Sequence, residues 1–157
     1  MVKTKNRKKS DRGYESFPVR IIDWKTDYSL SLGKNHRFSE GPYWEHYCLE
    51  LKGELLGPDR IKGREIKVMF LANRKLDQAI AHPDSIKWEP KALGGLTSRG
   101  KNSDFIGSLP FQLFGQILTM LQCDKTKYIV FGGEAMYHGQ ASIKDVTLTG
   151  EFNPEDY

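Results

Sequence analysis

The stretch YWEHYCLELKGELL, residues 43–56, brings Glu45, His46, Cys48 and Glu50 into six consecutive positions. Imidazole nitrogen and thiolate sulfur are ligands of transition metals. A closed metal site needs a third and a fourth such donor, and the sequence contains no C-x-x-C pair and no H-x₃₋₅-H pair. His46, Cys48 and Glu50 also alternate with apolar residues, which is typical of a strand with one solvated face. We therefore expect a strand here, with no metal and no cofactor.

Other catalytic patterns are also missing from the sequence. It contains no G-x-S-x-G turn, and its glycine-rich stretches at 33–38 and 132–139 lack the Lys-Ser/Thr pair of a phosphate-binding loop. The acidic residues Asp23 and Asp27 are explained by surface solvation. These observations favour a non-enzymatic role with no catalytic residues. The alternative from another class is a small hydrolase or transferase that uses the long segment 75–108.

Positive charge is concentrated at the N-terminus. Residues 1–20 contain seven Lys and Arg and two acidic residues, a net charge of +5, so the other residues of this +4 chain sum to −1. A flexible basic run meets phosphates or solubilises the chain. We expect contact with nucleic acid or another anionic polymer, and the candidate residues are Lys3, Lys5, Arg7, Lys8, Lys9 and Arg12.

Three strands are predicted in the first half of the chain. Ile22, Trp24, Thr26, Tyr28, Leu30 and Leu32 alternate with Asp, Lys and Ser, and this period of two indicates a half-buried strand. The stretch described first is the second strand, and residues 64–74 (REIKVMFLANR) are the third. The turn sequence GPDR at 57–60 separates the last two, so they should form an antiparallel hairpin.

The outer side of the third strand carries apolar residues that suggest a protein-interaction surface. Met69 and Leu71 occupy this side, and Trp88 follows in the long segment. Together they would form an apolar patch of the kind that binds a protein partner or an assembly. Coverage by the chain's own irregular segment is the competing interpretation.

The second half of the chain contains the clearest helix. Residues 75–108 look irregular, with a small hairpin around Arg99-Gly100. A helix is predicted over 109–122, where apolar residues recur at helical spacing. A buried strand, KYIVFGG, follows, and then QASIKDVTLTGEF, in which a phase change near Lys144-Asp145 indicates a β-bulge. The helical stripe consists of Leu113, Phe114, Ile117, Leu118 and Leu121.

The element order predicts a mainly β protein with one amphipathic helix. The order β-β-β-α-β-β is that of the five-stranded oligonucleotide-binding (OB) barrel, and a β-sandwich with one helix is the runner-up. Three segments are predicted: a disordered basic arm over 1–17, a single β-rich domain over 18–152, and a loose acidic tail over 153–157.

Composition indicates a cytoplasmic protein. No apolar run approaches the roughly 20 residues that span a bilayer, and the basic N-terminus is followed by no apolar segment typical of a secretory signal. The two cysteines, Cys48 and Cys123, form no disulfide framework.

Overall fold

The computed structural model describes residues 12–32, 43–85 and 91–156. Seven strands and two α-helices account for most of these residues, so the predicted mainly β class is confirmed. The strands are β1 Tyr14–Leu32, β2 Tyr43–Leu55, β3 Glu65–Asn73, β4 Gly94–Arg99, β5 Asn102–Pro110, β6 Tyr128–Glu134 and β7 Gln140–Thr149. The helices are α1 Arg74–Ala81 and α2 Phe114–Gln122, with short 3-10 turns at Pro83–Ser85, Phe111–Leu113 and Pro154–Asp156.

The seven strands form one closed sheet. They pair in the order β1-β2-β3-β5-β4-β7-β6, and β6 pairs back to β1, which makes a closed barrel. All neighbours are antiparallel except β3 and β5, which run parallel. This arrangement differs from the two facing sheets of a sandwich.

Strand β1 departs most from the predicted pattern. It begins at Tyr14, four residues before the predicted domain start at 18, and Phe17 is fully buried. A register shift between Ile21 and Asp23 marks a bulge. Before the bulge β1 pairs with both β2 and β6, and beyond it with β2 alone among the described residues. The predicted burial of the face from Ile22 to Leu32 is therefore wrong: Ile22 is 65% and Leu32 79% exposed.

The segment predicted to be irregular is largely regular. Residues 75–108 contain most of α1, all of β4 and most of β5. The small hairpin predicted around Arg99-Gly100 is confirmed, because β4 and β5 pair antiparallel across Gly100 and Lys101. The predicted bulge near Lys144-Asp145 is confirmed as well, since Gly132 pairs with Asp145 and Gly133 with Ile143.

Helix α2 packs against the same core as the strands. The buried face of the helix, Phe114, Ile117 and Leu121, belongs to the hydrophobic cluster that fills the barrel. The ring of Phe114 lies 4.7 Å from that of Tyr47 on β2, which places the helix at the end of the barrel where β2 begins. In residues 12–32, 43–85 and 91–156, no helix is long and apolar enough to span a bilayer.

Candidate functional site

One end of the barrel contains the start of β1. We call it the arm-side rim and define it as residues 12–15, 56–65, 99–102 and 134–140. Backbone hydrogen bonds join its segments: Ala135 N donates to Gly13 O at 2.8 Å, and Ser98 N donates to Gly139 O at 2.8 Å. The chain that enters β1 therefore lies beside the segments that leave β6 and enter β7.

Glu15 ties three parts of the rim together. Its carboxylate accepts two hydrogen bonds from the guanidinium of Arg60, one of them 2.7 Å long between Nη1 and Oε1. It also accepts the backbone N–H of Met136 at 3.0 Å. Burial by itself raises the pKa of Glu15, but the hydrogen bonds from Arg60 and Met136 and the charge of Arg60 outweigh it, so the pKa lies below its ordinary value.

Removing the charge of Glu15 should weaken the fold in a pH-dependent way. We expect Glu15→Gln to lower the free energy of unfolding by about 1–2 kcal/mol near pH 7. This lies at and below the lower end of the range of about 1.5–3 kcal/mol for hydrogen bonds to charged groups, because the Arg60 side chain is 47% exposed. Because the pKa of Glu15 is lower in the folded than in the unfolded state, its ionised form stabilises the fold at pH values above the unfolded-state pKa of about 4.3. This stabilisation is lost as the pH falls through the folded-state pKa. The difference in unfolding free energy between variant and parent should therefore become smaller in acid.

Urea unfolding at several pH values measures this effect. Glu151→Gln is the control, because Glu151 is exposed and lies outside the rim. The ion pair between Glu15 and Arg60 would be contradicted if the loss of unfolding free energy in Glu15→Gln did not change as the pH is lowered. It would also be contradicted if that loss equalled the loss in the control.

Exposed cations of the rim extend the positive charge of the arm. The guanidinium of Arg12 lies over the ring of Tyr137, with Cζ 4.3 Å from the ring centroid. Arg99 and Lys101, both exposed, occupy the β4–β5 turn. This turn is adjacent, since a Cβ on Gly139 would lie 3.8 Å from Cγ of Arg99. Cationic and aromatic side chains are thus close together on the surface at the end of the barrel where β1 begins.

The charge balance of the domain is uneven. The rim segments contain six Lys and Arg and four acidic residues, a net charge of +2. Residues 1–11 contain five basic residues and one acidic residue, a net charge of +4, so residues 12–157 sum to zero in this +4 chain. The rest of residues 12–157 therefore has a net charge of −2, so the rim is more basic than the average of the domain.

The predicted anion-binding residues are only partly within the described structure. Arg12 lies on the rim as stated, whereas Lys3, Lys5, Arg7, Lys8 and Lys9 lie outside the described residues. The contact of Tyr137 with Arg12 and the position of Arg99 and Lys101 at the same end of the barrel were not predicted from the sequence. The Arg-Gly-Lys turn was the available signal, but its position at this end depends on long-range strand pairing.

The polar residues of the stretch 43–56 make separate contacts in the structure. Glu45 accepts hydrogen bonds from Tyr28 and Arg74, which lower its pKa. The carboxylate of Glu50 lies 3.2 Å from the ammonium of Lys25. Cys48 is only 5% exposed, so the expected solvated face is wrong at this position, and burial raises the pKa of its thiol. Across the described residues, no three His, Cys, Asp or Glu side chains converge as metal ligands.

A groove of about 700 Å³ lies on the outer face of the barrel. Two rows of side chains from β1, β2, β3 and β5 line it. Residues opposite each other in the sheet define the lysine row as Asp23, Lys52, Lys67 and Asp104. They define a second row, displaced from the first by two residues on each strand, as Lys25, Glu50, Met69 and Ile106. Its half on β3 and β5 is apolar.

The predicted interaction surface falls partly in this groove. Met69 is half-buried there, beside the 58% exposed Ile106, which sequence analysis had assigned to no surface. Leu71 is half-buried and does not line the groove, and Trp88 lies outside the described residues. The apolar part of the groove thus joins Met69 to β5 rather than to Leu71.

Three comparisons with known proteins found no match. The chain matches no protein-family model, no curated protein and no solved structure.

Proposed function

We propose that the protein is a non-enzymatic binding domain that contacts nucleic acid through the basic arm and the arm-side rim. The observation that carries this proposal is the position of Arg12, the last cation of the arm, over Tyr137, whose segment lies beside the end of β4 and the turn of Arg99 and Lys101. Cations of the arm therefore continue onto the domain, and binding involves both.

The chemistry of these residues suits a polyanion with bases. Lys and Arg side chains neutralise phosphates and release counterions, which makes binding tolerant of sequence and strongly dependent on salt. The ring of Tyr137 is 54% exposed, and an exposed aromatic next to a cation is a stacking surface for an unpaired base. Single strands should therefore bind more tightly than duplexes.

An analogy of fold supports the proposal. The OB barrel has a helix between its third and fourth strands, and its β4–β5 loop contacts oligonucleotides. Here α1 follows β3, and the β4–β5 turn carries Arg99 and Lys101. We propose that the seven-stranded barrel is an enlarged relative of that fold. The free cysteines Cys48 and Cys123 support a cytoplasmic location.

Fluorescence anisotropy with labelled single- and double-stranded oligonucleotides at two salt concentrations tests the proposal. The variants are a chain that starts at Arg12, which keeps β1 intact, and Arg99→Gln/Lys101→Gln in the full chain. The matched control is Lys125→Gln/Lys127→Gln, which removes the same charge from exposed positions before β6, at the opposite end of the barrel.

We expect the truncation to weaken binding most and the rim variant to weaken it several-fold, with little change in the control. If all five arm cations contact phosphate, the slope of log affinity against log salt for single strands should become shallower by about 3.5 in the truncation, and by about 1.4 in the rim variant. A truncated chain that binds as tightly as the parent would refute the role of the arm. Equal losses in rim variant and control would refute the role of the rim, and no binding at low salt would refute both.

A further inference from the structure

Two lysines in the groove face each other on neighbouring strands. Lys52 and Lys67 are direct cross-strand partners on β2 and β3, and both side chains are exposed. Like charges directly opposite on a sheet repel each other and destabilise it. In the part of the chain that the structure describes, neither ammonium group forms a salt bridge.

The neighbouring carboxylates on β2 are held by other cations. Glu54 pairs with Arg20, and Glu50 pairs with Lys25 at 3.2 Å. Asp23, opposite Lys52, accepts the backbone N–H of Trp24 at 2.9 Å. The two lysines are the middle of the row Asp23, Lys52, Lys67 and Asp104, so each has a carboxylate on its outer side and the other ammonium group on its inner side. An anion between Lys52 and Lys67 would therefore meet two positive charges, with the two carboxylates at the flanks.

The apolar half of the second row lies next to this lysine pair. Met69 and Ile106 are cross-strand partners, and Met69 is two residues beyond Lys67 on the same face of β3, a distance of about 7 Å. A pocket of some 700 Å³ lies within the usual size range of sites for small ligands. The groove thus offers a cationic position and an apolar position at a short, fixed distance.

We propose that the groove binds a small amphipathic anion, with its carboxylate or phosphate head between Lys52 and Lys67 and its apolar chain along Met69 and Ile106. Both head groups share the chemistry that two ammonium groups recognise. The surrounding carboxylates disfavour a polyanion, whose further charges would lie beside Asp23 and Asp104, so a single anionic head fits best. This site is separate from the arm and the rim, so it stands or falls independently of the proposed nucleic-acid binding.

Titration of the full ¹⁵N-labelled chain with octanoate and with octyl phosphate, followed by NMR, tests this proposal. We expect at least one of the two to shift the amides of Lys67, Met69 and Ile106, and the stronger binder identifies the preferred head group. Octan-1-ol and acetate are the probe controls, because each lacks one half of the proposed ligand. Each should bind at least tenfold more weakly than the stronger amphiphile.

Two groove variants and one control locate the contacts. Lys52→Gln/Lys67→Gln should weaken binding about tenfold and Ile106→Thr about fivefold, while Lys125→Gln/Lys127→Gln leaves it unchanged. The proposal is overturned if neither amphiphile shifts these amides, if octan-1-ol or acetate binds equally well, or if the lysine variant binds like the parent. An acidic peptide with apolar residues that binds more tightly than both amphiphiles would also overturn it, since a protein partner would then be the better occupant.

Discussion

Replacing Phe105 with alanine should lower the free energy of unfolding by about 3–5 kcal/mol, the range for large-to-small changes of a buried phenylalanine. Phe105 is 1% exposed. Its ring stacks on Phe131 with centroids 4.3 Å apart and lies 5.2 Å from Phe70. Truncation would remove the contacts of all three rings at once and leave a cavity in the barrel.

The surroundings of Phe105 explain why the cavity should not collapse. Gly94 and Gly107 pair with each other across β4 and β5, and the Phe105 ring packs against both. A Cβ on either glycine would overlap the ring, so the two glycines make the space that the ring fills. Without the ring, no adjacent side chain at these positions can fill that space, which favours the upper part of the range.

Thermal and urea unfolding measure this effect, with Ile106→Thr as the matched control on the next residue. Ile106 is 58% exposed, and its substitution should change the unfolding free energy by about 0.5 kcal/mol or less. The midpoint temperature should fall by roughly 6–20 °C for Phe105→Ala. A variant within 1 kcal/mol of the parent would show that the three rings are not packed as described.

Ile117→Ala should lower the unfolding free energy by about 2–5 kcal/mol. Ile117 is 7% exposed and lies between Phe114 and Leu121 on the buried face of α2. Its truncation would separate the helix from the core at the middle of their contact. Urea unfolding provides the measurement.

Met120→Ala on the same helix is the control for this prediction. Met120 is 40% exposed, so its truncation should cost much less stability. The helix propensities of Ile and Met differ by less than about 0.7 kcal/mol, which is small against the expected effect of Ile117→Ala. A loss below about 0.5 kcal/mol for Ile117→Ala, the usual size for surface substitutions, would mean that α2 is peripheral.

Local patterns predicted the elements whose partners lie nearby in the chain. The alternation in β2 and β3 and the turn between them gave a hairpin, and the structure pairs Leu49 with Phe70 in it. The apolar spacing in α2 marked Ile117 as buried, although Leu113, assigned to the same stripe, is 38% exposed in the preceding 3-10 turn. These successes rest on periodicity within one element.

Elements with distant partners were not predictable in this way. Strand β5 lies parallel to β3, and no turn in the sequence marks such a pairing. Its inward residues are Ser103, Phe105, Gly107 and Leu109, and only two of these four are large apolar side chains. The bulge near Ile22 likewise changes which face of β1 is inward, a shift that the continuous alternation conceals.

The candidate site contains features that the local sequence reveals and features that depend on long-range strand pairing. The basic arm was evident from charge alone, because five cations fall within nine residues of the N-terminus. The other cations of the rim are remote in sequence: Arg12 and the β4–β5 turn lie at the same end of the barrel because β1 pairs with β6 and β4 pairs with β7. The lysine pair of the groove likewise depends on the exact register of β2 and β3.

Closure of the barrel by its first strand has a consequence during protein synthesis. Phe17 pairs with Phe131, 114 residues later in the chain. Ribosomes add about 5–20 residues per second, so Phe17 waits roughly 6–20 s before its partner has been made. Strands β1, β2 and β3 can meet long before that moment, but the first half of β1 keeps one edge without its native neighbour until the last quarter of the chain emerges.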